Sequence, residues 1–480
     1  MSFARKAAKS GLWLAGFKLV IQAFSWAITI AVARLLSPAD YGLSAMASIL
    51  TGYIEIFGEL GLGAAIIQKK EITQEEMSSI FWFSMIIGGV FAASSFGLAY
   101  PTAWIFREPR VIPITELISV LFIIGAVGIV PSNILTRNAK FKQIGMNQFI
   151  AVGLASPAML VMAHAGLGVW TLIWGVIIQR GVYSALTIRA ARWRPMLHFR
   201  FAETKQLLKF GLNVAGARSL FYIFQRADRL IIGRLFTAVY LGYYSFAINL
   251  ANMPSNKIVA VINQVLFPVF SRYQDDKRKC AEMYLKTTRY TALLVMPILL
   301  GGAFFGQDII PVILGAKWMP MVFVFRVLCV AELVVSLTRL NNAVHNAWGK
   351  PGQVTLFQLV NTVVMPASIY LAAKRGFDWV TIPWVTIYPA LALWWTLFTL
   401  RKLGISKLSY LKNIYAPVAG AAVMIIFVKI SNLLSQGAHL MANNLRNLLI
   451  EDILAGACFY ALYLFVVERR VIAEIWDLRN

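Results

Sequence analysis

Long apolar runs broken by short polar connections dominate this chain. Fourteen of them fall at about 11–33, 41–62, 79–100, 113–132, 147–164, 168–188, 207–232, 239–264, 287–306, 321–344, 354–373, 380–400, 413–431 and 448–467. A helix needs roughly 20 apolar residues to bridge the hydrocarbon core of a bilayer. The pattern therefore predicts an all-α polytopic membrane protein with about 14 transmembrane helices. The first run follows Arg5, Lys6 and Lys9, but it is too long for a signal-peptide core and offers no small-residue cleavage site, so it is read as a span. The connections between runs are short, which excludes a large extramembrane enzymatic domain.

Composition fits this reading. Of 480 residues, 59% are hydrophobic and 14% charged, whereas soluble domains carry about 25% charged residues. The balance of 45 Lys and Arg against 21 Asp and Glu gives a formal charge of +24. In a soluble protein that excess would suggest nucleic acid; here it is first a statement about sidedness. With a cytoplasmic N-terminus, and with Lys209, Arg289 and Lys429 at the run ends counted in the adjoining connections, inner connections hold 28 basic residues, outer ones nine, and eight lie inside the runs. The positive-inside rule then predicts a multi-pass membrane protein with an even number of spans, both termini cytoplasmic and no nucleic-acid partner. Cys280, Cys329 and Cys458 lie far apart and so do the four histidines; these spacings make no disulfide framework and no metal site, and no cofactor is expected.

Shifting the chain by 200 residues aligns its start with its middle. Gly11-Leu12 meets Gly211-Leu212, Ala15-Gly16 meets Ala215-Gly216, and Ala27 meets Ala227. Arg34-Leu35 meets Arg234-Leu235, and Gly42, Ala47 and Leu50 meet Gly242, Ala247 and Leu250. Six spans separate the copies. An even number keeps the same orientation, so these are parallel repeats related by an axis along the membrane normal. The expected division is an N-lobe of spans 1–6 (residues 1–200), a C-lobe of spans 7–12 (201–404) and a C-terminal helix pair with tail (405–480).

Polar residues inside spans are costly and face a bundle interior or a water-filled cavity. In the first span Lys18, Gln22, Ser25 and Thr29 recur at spacings of 4, 3 and 4, one stripe of a helix. Arg218, Tyr222, Gln225 and Arg229 repeat that stripe in the seventh span, and Asn249, Asn252, Asn256 and Asn263 mark one face of the eighth. Two readings stay open: the faces line a shared lumen, or they hold helices together through interhelical hydrogen bonds.

The basic residues inside spans are Lys18, Arg180, Arg218, Arg226, Arg229, Lys257, Arg326 and Arg339, against the acids Glu55, Glu59, Asp228 and Glu332. Glu332 and Arg339, seven apart, share a helix face and are expected to pair, and Asp228 has arginines beside it. Such pairs are either a neutralised structural network or part of a site. The surplus cations suit an anionic passenger, because a guanidinium binds phosphate bidentately. Lys18, Gln22, Ser25, Thr29, Arg218, Tyr222, Gln225, Arg229, Asn249, Asn252, Asn256, Arg326 and Arg339 are the candidate substrate-binding residues; Glu55, Glu59, Asp228 and Glu332 are candidates for ion coupling.

Five segments also carry a family resemblance: ARLLSPADYGLSAMA, ELGLGAAIIQKK, RADRLIIGRLFTAVYLGYYSFA, LFPVFSR and LGAKWMP. The chain resembles the Wzx-type lipid-linked oligosaccharide flippases, in the polysaccharide-transport branch of the multidrug/oligosaccharidyl-lipid/polysaccharide exporter superfamily, near the colanic acid and exopolysaccharide exporters. The resemblance implies two six-helix lobes in a V shape, alternating access and a cationic lumen. It further implies transfer of an undecaprenyl-diphosphate-linked repeat unit from the cytoplasmic to the periplasmic leaflet of the bacterial inner membrane, with membrane lipids, a polysaccharide polymerase and export machinery as partners. It transfers no binding residue to a particular position.

The alternatives are an ion-coupled multidrug exporter of the same superfamily, which would favour acids in its lumen, and a membrane polymerase or ligase, which would need a larger outer loop. No GxxxxGK[ST], HExxH or nucleotide-binding glycine motif is present, so the chain itself has no evident means of hydrolysing ATP.

Overall fold

The computed structural model describes residues 17, 20–22, 24–58, 66–67, 69, 71–201, 222, 225–273, 276–439 and 445–467, and their side chains outside 50, 53–58, 260–269, 271–272, 432–439, 445–450 and 467. Its contacts sort into two compact units, Met1–Ser245 and Phe246–Asn480. The first contains α1 (Val20–Leu35), α2 (Pro38–Gly58), α3 (Gln74–Gly97), α4 (Ala99–Phe106), α5 (Val111–Ile118), α6 (Val120–Arg137), α7 (Phe141–His164), α8 (Val169–Ala191), α9 (225–235) and the start of α10 (Ala238–Arg272). The second holds the rest of α10, then α11 (Lys277–Leu314), α12 (Val322–Ala347), α13 (Pro351–Ala373), α14 (Ile382–Val385), α15 (Ile387–Leu403), α16 (Lys407–His439) and α17 (Leu445–Val467).

Among the described residues nine helical stretches are long and apolar enough to cross a membrane. They correspond to nine of the fourteen expected runs: the third to sixth and the ninth to thirteenth. The expected third span is built from α3 and α4, meeting at Leu98, and the fourth from α5 and α6, meeting at Ser119. α1 and α2 meet at a bend of 118°. The 35-residue α10, which carries the asparagine face, falls outside the nine. In hydrocarbon a buried hydroxyl needs a partner within the bundle. Thr51, Ser84, Thr102 and Thr288 donate to the carbonyl four residues back in their own helices.

Helix ends are capped where the chain turns. α3 starts with a capping box between Thr73 and Glu76, and Lys69 pairs with Glu76. In the first unit α3 packs on α6, α6 on α8 and α8 on α7, and Ile66, Ile80, Phe83 and Val130 form one of its cores. Small residues permit this: a Cβ on Gly88 would lie 2.7 Å from Ala126 Cβ and 3.0 Å from the Phe122 carbonyl oxygen, the close approach typical of membrane helices. In the second unit α11 packs against α12 and α16, and α16 against α17. Phe270, Tyr284, Leu340, Val344 and Leu400 form one of its cores.

The 200-residue shift also has a structural counterpart. A Cβ on Gly42 would stand 1.8 Å from the Ala238 carbonyl oxygen, and one on Gly242 would stand 1.8 Å from the carbonyl oxygen of Pro38. Pro38 and Ala238 are themselves 200 apart, so the first turns of α2 and α10 cross reciprocally, each with its glycine against the other's backbone.

Candidate functional site

Among the described residues each unit buries one carboxylate among polar groups inside its helices. In the first, Asp228 on α9 is 3% exposed. Its Oδ2 accepts from the Tyr244 hydroxyl at 2.7 Å and its Oδ1 from the Arg229 backbone amide at 2.7 Å. The neighbouring arginines make no close ion pair with Asp228 among the described residues, although the charge of Arg226 acts on it at longer range. The reason is helical phase, because residues one or two apart do not face each other on a helix. The Arg226 guanidinium lies instead over the Tyr222 ring, 5.6 Å from its centroid, and Arg229 is buried.

In the second unit Glu332, on α12, is 4% exposed. The Ser255 hydroxyl of α10 donates to its Oε1, and Arg339 Nη2 lies 3.0 Å from the same oxygen. The expected pairing of Glu332 with Arg339 is thus present. Arg339 Nη1 donates to Asn256 Oδ1 at 2.8 Å, and its side chain remains 29% exposed. The guanidinium is therefore held on two edges by groups from two helices while part of it stays open. A charge-assisted fork of this kind can pass an edge to a phosphate without being rebuilt.

The remaining candidates are placed more plainly. Gln22 and Ser25 are half-buried and Thr29 is exposed, its hydroxyl donating to the Ser25 carbonyl. Tyr222 donates to the carbonyl of Ile49 at 2.7 Å and to that of Ser48, so it fastens α2. Gln225, Asn249 and Asn256 are exposed and Asn252 is half-buried. Arg326 Nε donates to the Ala303 carbonyl at 2.6 Å, tying α12 to α11. Lys18, Arg218 and Glu59 lie outside the described residues, as do the side chains of Glu55 and Asn263. Among the described residues no group of three or more His, Cys, Asp or Glu side chains could hold a metal ion.

Sequence reasoning missed Ser255 and Tyr244, the hydroxyls that meet the two carboxylates. Ser255 had a visible signal, since it adjoins Asn256 on the polar face of α10; Tyr244 sits in an aromatic run that reads as packing. It also missed His345, which is fully buried, hydrogen-bonded to Gln353 and Thr399 and stacked on Trp395.

Comparison with known proteins adds to this geometry. The profile of the polysaccharide biosynthesis protein family matches residues 31–323. The chain is similar to the lipopolysaccharide biosynthesis protein WzxC of Escherichia coli (strain K12), at 26% identity over 70% of this chain and 69% of WzxC. It is similar also to the succinoglycan biosynthesis transport protein ExoT of Rhizobium meliloti (strain 1021), at 22% identity over 93% of this chain and 90% of ExoT. Among solved structures, the lipid II flippase MurJ in an inward closed conformation superimposes with a TM-score of 0.74 at 12% identity, covering 96% of this chain and all of MurJ. An inward-facing multidrug resistance transporter of the MATE family gives 0.61 at 14% identity, over 80% of this chain and 94% of that one. At these identities the two structures establish a shared fold.

Proposed function

The chain belongs to the polysaccharide biosynthesis protein family, and we propose that it is a flippase carrying polyprenyl-diphosphate-linked oligosaccharides across the membrane for polysaccharide export. The observation that carries this reading is the family match across residues 31–323, extended by the similarity to a transport protein over 93% of the chain. The fold alone does not choose between cargoes, because flippase and multidrug transporter share it; sequence similarity makes the choice.

The physics of the task agrees. A diphosphate and several sugars cannot cross hydrocarbon unaided, whereas the polyprenyl tail can stay in lipid while the head group passes between helices. Release at the far side requires reversible contacts, so an arginine already engaged by Glu332 and Asn256 suits the task better than a free, strongly binding cation. In this reading Arg339 hands one edge to the diphosphate, and Glu332 holds the guanidinium when no substrate is bound. Lys18, Arg218 and the asparagine face of α10 add moderate contacts along a cationic lumen. Fourteen spans with both ends cytoplasmic, in a bacterial inner membrane, complete the proposal, and a polymerase consumes the product on the far side. The chain performs no bond-breaking chemistry of its own.

Reconstitution tests it. Proteoliposomes containing the protein should move a polyprenyl-diphosphate oligosaccharide between leaflets, read by a membrane-impermeant lectin or glycosidase, and protein-free vesicles should not. Equal rates in the two preparations, with the protein correctly inserted, would rule the function out.

A further inference from the structure

After α8 the chain forms an extended strap whose backbone is tied down. Arg192 leaves the helix in the left-handed region, with φ of 52°, and residues 193–200 run along the first turns of α3. Gln74 Nε2 donates to the Arg194 carbonyl at 2.7 Å and Trp82 Nε1 to the Met196 carbonyl at 2.8 Å. The amides of Met196 and Arg200 donate to Oγ of Ser78 and Ser79 at 3.0 and 3.2 Å, and Trp193 Nε1 donates to Gln74 Oε1 at 2.7 Å. Ser78 and Ser79 are wholly buried. The strap's inner side is therefore fixed, which fixes what its outer side presents.

That outer side combines two chemistries. Arg192, Arg194 and Arg200 are exposed and flank the exposed apolar side chains of Met196, Phe199 and Leu197, the last 97% exposed. No Asp or Glu occurs between Leu117 and Ala202; of the acids in the first turn of α3 beside the strap, Glu76 is paired with Lys69 and Glu75 is exposed. Lys69, Arg137, Lys140 and Lys142 belong to this same end of the bundle, where α3 and α7 begin and α6 and α8 finish. An apolar side chain held open on a rigid strap just past a membrane span sits at the boundary between acyl chains and headgroups, where arginines meet phosphate.

We infer that residues 192–200 form an interfacial anchor that binds the phosphates of anionic phospholipids in the leaflet at this end of the bundle. The arrangement favours phospholipid over substrate: Arg192 and Arg194 on one side and Arg200 on the other flank the exposed Met196, Leu197 and Phe199, spreading the cations along a surface of many headgroups rather than gathering them on one diphosphate. The inference requires only that the chain spans a membrane and not that it is a flippase.

The test reads lipid contact and involves no transport step. The full chain carrying Leu197→Cys on a Cys458→Ser background is labelled with an environment-sensitive fluorophore and reconstituted in phosphatidylcholine vesicles with or without phosphatidylglycerol. Phosphatidylglycerol should shift the emission to the blue and increase quenching by brominated acyl chains, and added salt should weaken the effect by screening. Arg192→Gln/Arg194→Gln/Arg200→Gln should reduce that response several-fold while circular dichroism stays unchanged. Should this variant misfold, single Arg194→Gln, whose side chain is exposed, reports the same loss in smaller measure. Identical emission in both vesicle types overturns the proposal, and so does displacement of phosphatidylglycerol by stoichiometric polyprenyl diphosphate, which would make the strap a substrate port.

Discussion

Asp228 and Glu332 are buried almost equally, yet they are stabilised in different ways. Asp228 is held by a tyrosine hydroxyl and a backbone amide, both fixed donors close to it in the chain. Glu332 is held by Ser255 and by a guanidinium that also touches Asn256 and is partly open. The first arrangement has nothing to exchange. The second has a cation that can change partners. Two carboxylates buried alike in a membrane bundle thus differ in whether a partner can be reached from outside.

The largest expected effect follows from breaking the pair. Arg339→Ala leaves Glu332 buried without its cation, a defect that costs about 3–5 kcal/mol, and should sharply lower the yield and melting temperature of purified protein. Adding Glu332→Gln should restore most of the loss. Asp228→Asn removes no ion pair and should cost clearly less than Arg339→Ala; equal losses would mean that the two carboxylates do not differ in this way. Tyr244→Phe should come next, because it withdraws a hydroxyl from a buried charge, an interaction contributing about 1.5–3 kcal/mol. Its effect should shrink in the Asp228→Asn background, as a double-mutant cycle would reveal.

How much of this was legible in the sequence depends on the range of the interaction. Apolar runs mark their own spans, because the bilayer sets their length without reference to the rest of the fold. Glu332 and Arg339 were readable as a pair because two turns of one helix bring them onto one face. Ser255 lies 77 residues from Glu332, and no local pattern records that meeting. Asp228 misled for the opposite reason: adjacent arginines suggest close pairing, but helical phase sets the Arg226 guanidinium over the Tyr222 ring instead. The extensions of α10 to 35 and α11 to 38 residues were likewise hidden, since their polar ends carry no hydropathy signal. The repeat was legible and reappears in the Gly42 and Gly242 crossing.

That crossing sharpens the comparison by offering a place where the repeats do match. Gly42→Ala and Gly242→Ala each drive a Cβ into a backbone carbonyl and should cost similar amounts, of the order of 1–3 kcal/mol for overpacking, when melting temperatures are compared. Unequal costs would show that the reciprocity is only geometric. The smallest effect belongs to the surface pair in the 107–110 connection. Arg110 Nε and Nη2 each donate to Glu108 at 2.8 Å, and this bidentate contact holds the Glu108 carboxyl below its usual range. A depressed carboxylate contributes stability above its unfolded value, about 4.3, and loses it as pH falls through the lower folded value. Arg110→Ala should remove this slight acid dependence in pH-resolved melting curves, and added salt should mimic the change.

The central claim is that the open guanidinium of Arg339 receives the diphosphate of a lipid-linked oligosaccharide. The most direct measurement is the flipping rate of Glu332→Gln/Arg339→Gln in proteoliposomes, since this double variant lacks the cation without leaving a buried charge. Its melting temperature should lie near that of the parent while flipping falls by about tenfold or more, the loss of a single charge-assisted contact worth ~1.4 kcal/mol or above. A folded double variant that flips the oligosaccharide at the parental rate would contradict the claim.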